Sequence, residues 1–586
     1  VAIAARFPLM IAAGTLVVLL WRRLGLPWWV AGPAAVPATW VIVSTQATGG
    51  EIPIVSVLLV AGVVLLRLLG DASGTEEPWW WSALGGMLSA LTMLVKFDAG
   101  LATLALVLLG TVTLGLARPG PVRPVAVRLG AVRPVAVRLG AVRPVAVRLG
   151  AGAAAFAVSL TLLWVLAGQR PGLLPTWLRG SIEVFTGYNS AMVADYRRAN
   201  DRPLAVLMAA GLVVLLVLTA RDRRRSGRSL RPVAAAAVVT AAMLVLAAKQ
   251  SFVRWDPGHA MRMGAVVAML ALVLAGRRAA SVVICALIVA TAVWFSWRTE
   301  PSARRSLARP AQARAQFDRM TGPLLSGRER RAIVAAQRVA ILQAAEVPDG
   351  IVSRIRGRSF HVEPWETSIA WALTGEARWS PLPVFQSYSA YTAALDDRNA
   401  DRLAGAAAPD LVLVETRSID RRWARWESPR AWVELLCRYR PSVATARWQL
   451  LERRPDGSGC GPAGRLGEPV RAVLGGPLIT PEAPDDAFVT VRFEGLAPGP
   501  LRAVRELLTR ASTWWVLRPY EQPVRLVPGT AGQPHVLAVP RCLRGRLGPI
   551  DTASVPLMSV SPVDREPSPS TRPVTAVYEL IPYRCP

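Results

Sequence analysis

Lysine is nearly missing from this chain of 586 residues: Lys96 and Lys249 are the two present, and the remaining strong cations are arginines. Histidine and cysteine are also scarce, at three and five residues. Neither forms a C-x-x-C pair or a Cys/His zinc spacing, which excludes the small zinc modules. No glycine-rich phosphate loop and no Ser/His/Asp spacing is present, so neither a P-loop nucleotide enzyme nor a triad hydrolase is indicated. Acidic residues are outnumbered, and the net charge is +29. In a soluble protein that excess would point to nucleic acid. Here much of the arginine lies in loops between apolar runs, where it sets membrane topology, and a nucleic-acid partner is not expected.

Hydrophobic residues make up 52% of the chain, and they are unevenly placed. Up to about Trp297 they come in runs of roughly 17–21, the length that crosses the hydrocarbon core of a bilayer. About ten spans are expected, near 3–21, 27–45, 52–70, 79–96, 99–117, 151–168, 203–220, 232–248, 261–276 and 280–297. Trp28–Trp29 and Trp79–Trp81 fall at span ends, where an amphipathic ring prefers the interface.

Between two of these spans a decapeptide recurs. "PVRPVAVRLG" at 121–130 is followed by "AVRPVAVRLG" at 131–140 and again at 141–150. Three near-identical copies resemble a recent tandem duplication, and a proline every ten residues argues against one continuous helix. Arg118 to Arg148 thus carries seven arginines and no acid. "RDRRRSGRSLR" (221–231) and "GRRAA" (276–280) are basic as well, and pairs of spans separate the three segments. The positive-inside rule places all three, with Arg22, Arg23 and Arg67, in the cytoplasm. Counting backwards puts Val1 on the outer side, so an upstream span and outer loop are expected before it.

Everything after the last span then faces outward. Cys285 sits in an apolar run as a small hydrophobe. The other four cysteines, Cys437, Cys460, Cys542 and Cys585, lie in this outer part, where an even number suits two disulfides in an oxidising compartment. Three pairings are open; sequence neighbours, Cys437 with Cys460 and Cys542 with Cys585, are the first expectation.

Four connections of the membrane part face the same side: 46–51, 95–100, 169–202 and "KQSFVRWDPGH" at 249–259. They gather Glu51, Lys96, Asp98, Glu183, Tyr188, Asp195, Lys249, Arg254, Asp256 and His259 on one face. Each has a plain reading. The lysines can snorkel to the headgroups, Asp256 can close an Asp-Pro-Gly turn, Glu51 can favour a helix N-terminus, and Tyr188 can be a packed loop aromatic. The sharper reading makes Lys96, Lys249 and Arg254 a cation cluster for a phosphate. In it Asp256 is a general base or a ligand of a divalent metal, supported by His259.

"GGMLSALTMLVKFDAGL" (85–101) resembles the small-residue-rich span ending in lysine of the C-type (GT-C) glycosyltransferase superfamily. The combination of "GYNSAM", "KQSFVRWDPGH" and "PVFQSYSAYTAALDDRNADRL" is similar to a group of bacterial membrane proteins with this layout. The resemblance covers most of the chain, and in the membrane part it is one of texture. It implies a polyprenyl-phosphate-linked sugar donor, a glycan acceptor and transfer at the outer face of the cell membrane. Lys96, Lys249 and Arg254, with Tyr188, would hold the lipid phosphate. Asp256, Asp98 and His259 would be acid, base or Mg/Mn ligands. The superfamily's usual catalytic acid lies in the first outer loop, which falls in the expected upstream segment. A flippase of a lipid-linked glycan and a non-enzymatic, membrane-anchored glycan-binding protein are the rival readings.

The fold expected is therefore an α-helical polytopic membrane domain (1–298) and then an extracytoplasmic α/β plus β-sandwich region. Within that region 299–346 reads as a linker and helix, and 347–455 as an α/β unit built on "SFHVEPWETSIAWAL" and "DLVLVET". Residues 456–586 read as a β-sandwich-like unit of short strands between Pro/Gly turns. Trp514 and Trp515 can stack on a sugar or fill the core. His361 and His535 are isolated and read as structural.

Overall fold

The computed structural model describes residues 52–69, 78–117, 139–192, 194–195, 201–255, 257–299, 322–323, 325–373, 375–415, 424–473, 478–479, 481–482, 484–496, 514–517, 524–544, 557–562 and 573–585. The chain is mostly helical at first and strand-rich later, and it divides into two compact units. The first comprises 1–178 and 195–321, the second 179–194 and 322–586. The runs near 3–21 and 27–45 and the first repeat copies lie outside the described residues.

In the first unit the apolar runs are helices: α1 (Ile52–Leu69), α2 (Trp80–Val95), α3 (Phe97–Ala117), α4 (Leu139–Leu166), α6 (Asp201–Arg225), α7 (Arg231–Val253), α8 (Pro257–Leu274) and α9 (Ala279–Thr299), with α5 (Leu174–Met192) following α4. Four of them, over 97–117, 144–166, 203–225 and 231–251, are long and apolar enough to cross a membrane. One expectation needs correction. The last repeat copy is helical and runs into α4, with Pro144 inside the helix. The apolar stretch of α4 starts at Pro144 itself, the sixth residue of the helix, where proline removes one i→i−4 bond without ending it.

Small residues set the packing. A single extended residue, Lys96, separates α2 from α3. The chain can reverse there because Gly100 lies on the Met93 backbone, where any Cβ would overlap the Met93 Cα. Ser82 and Thr111 hydroxyls, 3.1 Å apart, join the two helices at the other end. Gly86 meets the Gly152 carbonyl of α4, and Ala90 and Leu160 share a core further along, so α2 and α4 run parallel. Close approach through small residues is how helices associate where apolar burial cannot drive them. Helix α8 is buried from Arg262 to Ala275 and forms the centre of the unit.

The ends of these helices sort by chemistry. Arg223 of α6 donates to the Leu69 carbonyl closing α1 at 2.8 Å, and Thr219 donates to Leu274 O at 3.2 Å. Arg278 pairs with Asp222. The basic segments 221–231 and 276–280 and the end of α1 therefore share one end of the unit. Lys96, Asp98 and the last turn of α7 meet at the other.

The second unit holds a mixed sheet of order β4-β3-β5-β7-β6, formed by β3 (Ser359–Glu363), β4 (Arg378–Trp379), β5 (Leu411–Glu415), β6 (Tyr439–Ala444) and β7 (Trp448–Arg453). Strand β3 is parallel to β4 and β5, while β7 is antiparallel to β5 and β6. Strands β3 and β5 are buried at every residue, as strands covered on both faces are. Two antiparallel sheets follow. One is built on β11 (Ala487–Glu494) between β14 (His535–Ala538) and β16 (Pro573–Pro582), the other on β12 (Trp514–Leu517) between β13 (Val524–Leu526) and β15 (Leu557–Pro562). Leu478 and Leu526 of the latter share a core with Val489, Val491 and Phe493 of the former, so the two sheets pack together.

The expected boundary at 455–456 is not a gap. Val412 and Leu451 of the mixed sheet share one core with Phe488, Val536 and Ile581, through the apolar face of the helix Pro429–Arg438. The Cys437–Cys460 disulfide crosses the same line, and Cys542 is bonded to Cys585. The helix Gly327–Ala344 also belongs here: Trp448 Nε1 donates to Ala345 O at 2.7 Å. Residues 179–192, read from sequence as part of the membrane domain, join this unit too.

Candidate functional site

At the apex of the α2–α3 hairpin, Lys96 Nζ lies 4.0 Å from Asp98 Oδ2, and both side chains are about a third exposed (32% and 34%). Asp98 Oδ2 also accepts from Gln250 Nε2 at 3.1 Å. Gln250 Oε1 in turn accepts from Arg262 Nη1 at 3.4 Å. A polar chain thus runs Lys96–Asp98–Gln250–Arg262 across the ends of α2, α3, α7 and α8. Lys249, half-buried, precedes Gln250 on the last turns of α7. Of the expected charges, Lys96 and Asp98 are therefore in contact, and Lys249 is on the helix turn that meets them.

Sequence reasoning missed Gln250 and Arg262. Arg262 is 7% exposed inside an otherwise apolar helix. A lone arginine within the run that follows His259 was the available signal, since a charge there has to be paired. Asp98 takes a different part from the one expected. Its carboxylate faces Lys96 and accepts from Gln250, so in this arrangement it holds both side chains in place.

The segment 254–259 is placed in part. Arg254 and Trp255 form a two-residue strand directly after α7, and His259 lies in the first turn of α8. The side chains of Asp195, Arg254 and His259, and Asp256 and Glu51 altogether, lie outside the described residues, as do the side chains of Trp514 and Trp515. Among the described residues, no three His, Cys, Asp or Glu side chains gather to hold a metal.

Tyr188 is corrected in place. It lies on α5, not in a loop, and its ring meets Tyr391 edge-on at 6.1 Å within an apolar cluster of Ala191, Met192 and Val527. On the same helix Glu183 accepts from Thr392 Oγ1 and Arg398 Nη2, each at 3.1 Å. Gly187 permits the approach, since a Cβ there would press within 2.5 Å of the Tyr391 Cβ. "GYNSAM" and "SYSAYTAALDDRNADRL" therefore go together because they pack together.

The rest of that second motif is a cap. Asp396 Oδ1 accepts from Ser428 Oγ at 2.6 Å and the Ala431 amide at 3.1 Å, and Oδ2 from the Arg430 amide at 2.9 Å. It thereby satisfies the open N–H groups at the start of the helix Pro429–Arg438. Burial still pushes its carboxyl up to about 6, although these three donors favour the charged form. Burial also pushes the imidazole of His535 down to about 4; its Nδ1–H donates to Gln533 O at 2.7 Å. His361 is not isolated. Its Nε2 lies 3.1 Å from Glu363 Oε2, two residues along β3, and Ser387 donates to the same buried carboxylate.

No protein-family model matches the chain, and no curated protein or solved structure matches it either.

Proposed function

We propose that the chain is a multi-pass cell-membrane protein whose second unit lies outside, and that it transfers a sugar from a polyprenyl-phosphate donor to an envelope glycan. The observation that carries this reading is the polar chain Lys96–Asp98–Gln250–Arg262, set at the end of the helical unit opposite its basic segments. With those segments in the cytoplasm, the chain meets the outer headgroup layer, where a lipid phosphate resides. The two disulfides fit the same side.

In this reading Lys96, Lys249 and Arg254 neutralise the lipid phosphate as it leaves the anomeric carbon. Asp98 and Gln250 hold Lys96 and Arg262 in position. Asp256, with His259 beside it in sequence, takes the proton from the attacking acceptor hydroxyl. No step runs through a metal. The test is transfer from labelled polyprenyl-phosphate sugar by the full-length protein in bilayer discs, beside Lys249→Ala and Asp256→Asn. Loss of transfer in both variants supports the assignment. Unchanged transfer in both removes these residues from the chemistry. A protein that moves the labelled lipid between leaflets without transferring sugar would instead be a flippase, a reading favoured by the burial of Arg262 within α8.

A further inference from the structure

One cavity lies at the opposite end of the helical unit from Lys96. It is a groove of about 180 Å³ between α1, α2, α3 and α4. Leu59, Val60 and Val63 of α1 and Leu84 and Leu88 of α2 make its walls apolar, and Arg67, Trp81 and Arg148 lie along it. Arg67 is in the last turn of α1, and Trp81 begins α2. The polar groups thus stand at the headgroup end, and the apolar walls run on from Arg67 to Leu59, about 12 Å toward the middle of the helices.

Three features distinguish this groove from ordinary packing. The Arg67 guanidinium lies over the Trp81 ring, 4.3 Å from its centroid, which fixes the cation at the groove. The Trp81 indole N–H is buried and meets no acceptor among the described residues, although a buried indole N–H usually finds one. Arg148, half-buried, is the last arginine of the decapeptide repeat, and the helical extension of α4 is what carries it here. No acidic side chain lines the cavity. Two arginines and a buried indole therefore line a space whose other walls are mostly aliphatic, the Ser82 and Thr111 hydroxyls there being bonded to each other.

We propose that this groove binds one anionic glycerophospholipid. Its acyl chain lies along Leu59, Val63, Leu84 and Leu88, and its phosphate accepts from Arg67, Arg148 and the Trp81 indole. Arginine is the natural partner of a phosphate diester because its fork donates two parallel bonds. With the basic end of the unit in the cytoplasm, the lipid comes from the inner leaflet, whose surface is the anionic one. The site is distinct from the one at Lys96, and it assigns a role to the repeat that the sugar-transfer reading leaves unused.

The test is native mass spectrometry of the full-length protein, delipidated in detergent and titrated separately with phosphatidylglycerol, phosphatidylcholine and undecaprenyl phosphate. Wild type is expected to retain one phosphatidylglycerol at least about tenfold more tightly than phosphatidylcholine, and more tightly than undecaprenyl phosphate. The double variant Arg67→Gln/Arg148→Gln is expected to lose that preference, and Arg67→Lys/Arg148→Lys to keep part of it. Arg148→Gln alone, at a half-buried position, covers the case in which the double variant does not fold, and must itself lower the preference. Equal retention of the two glycerophospholipids by wild type overturns the proposal, as does a preference that survives Arg148→Gln. Tighter retention of undecaprenyl phosphate replaces the occupant and overturns the choice made here.

Discussion

Asp396 and His535 give the second unit two opposed pH responses, and removing either group should expose the other. Asp396 is held about two pH units above its ordinary 3.8, which at about 1.4 kcal/mol per unit is worth about 3 kcal/mol. Between pH 4 and 6 the folded state keeps this proton and the unfolded state has lost it, so stability falls as pH rises. His535 is held about 2.5 units below its ordinary 6.5, again about 3 kcal/mol. Between pH 6.5 and 4 the unfolded state gains this proton and the folded state does not, so stability falls as pH drops. In wild type the two slopes nearly cancel from pH 4 to 6. Asp396→Asn should leave the histidine slope and lose about 3 kcal/mol on acidification from pH 6.5 to 4. His535→Phe should leave the aspartate slope and lose about as much from pH 4 to 6. Hydrogen exchange of amides in 429–438 and 535–538, corrected for intrinsic rates, reads both. Identical pH profiles in wild type and the two variants would refute the reasoning.

Other expectations follow from the same geometry. Asp98→Asn should weaken sugar transfer less than Lys96→Ala does, because Asp98 positions the cation; the reverse order would make Asp98 the reacting group. Gly86→Leu should push α2 off the Gly152 carbonyl and cost about 1–3 kcal/mol or more, seen as a lower melting temperature in detergent. Reduction of the disulfides should destabilise the second unit, by about 3 kcal/mol for the loop closed by Cys437–Cys460 and somewhat more for the longer Cys542–Cys585 loop. Denaturant titration with and without reductant measures it.

The helices over 97–117, 201–225 and 231–253 were legible because a run long enough to cross a bilayer needs no tertiary information to be recognised. The strand 411–415 was legible for a similar reason, being a short, mostly apolar run. Contacts between distant positions were not. Glu183 and Arg398 are separated by 215 residues, and neither carries a mark of the other. Asp396 reads as one acid among several until the helix at 429 is laid on it. Helix α5 was hidden in an outer connection because its apolar residues face a partner that appears much later in the chain. The last repeat copy was hidden because proline was weighed as a helix breaker, whereas α4 runs through Pro144.

The ten-residue strand β16 bonds on one edge to β11 and on the other to the strands at 464–465 and 470–473, and Cys585 follows it directly. A sheet whose middle is made last cannot be assembled in the order of synthesis. Until residues 573–585 have emerged, Phe488, Val491 and Phe493 have no neighbour along that side. The unit must therefore wait with open strand edges, at a stage when such edges readily pair with other chains. A chain cut before residue 573 should then fail as a whole sheet and aggregate, because what it loses is the sheet's centre.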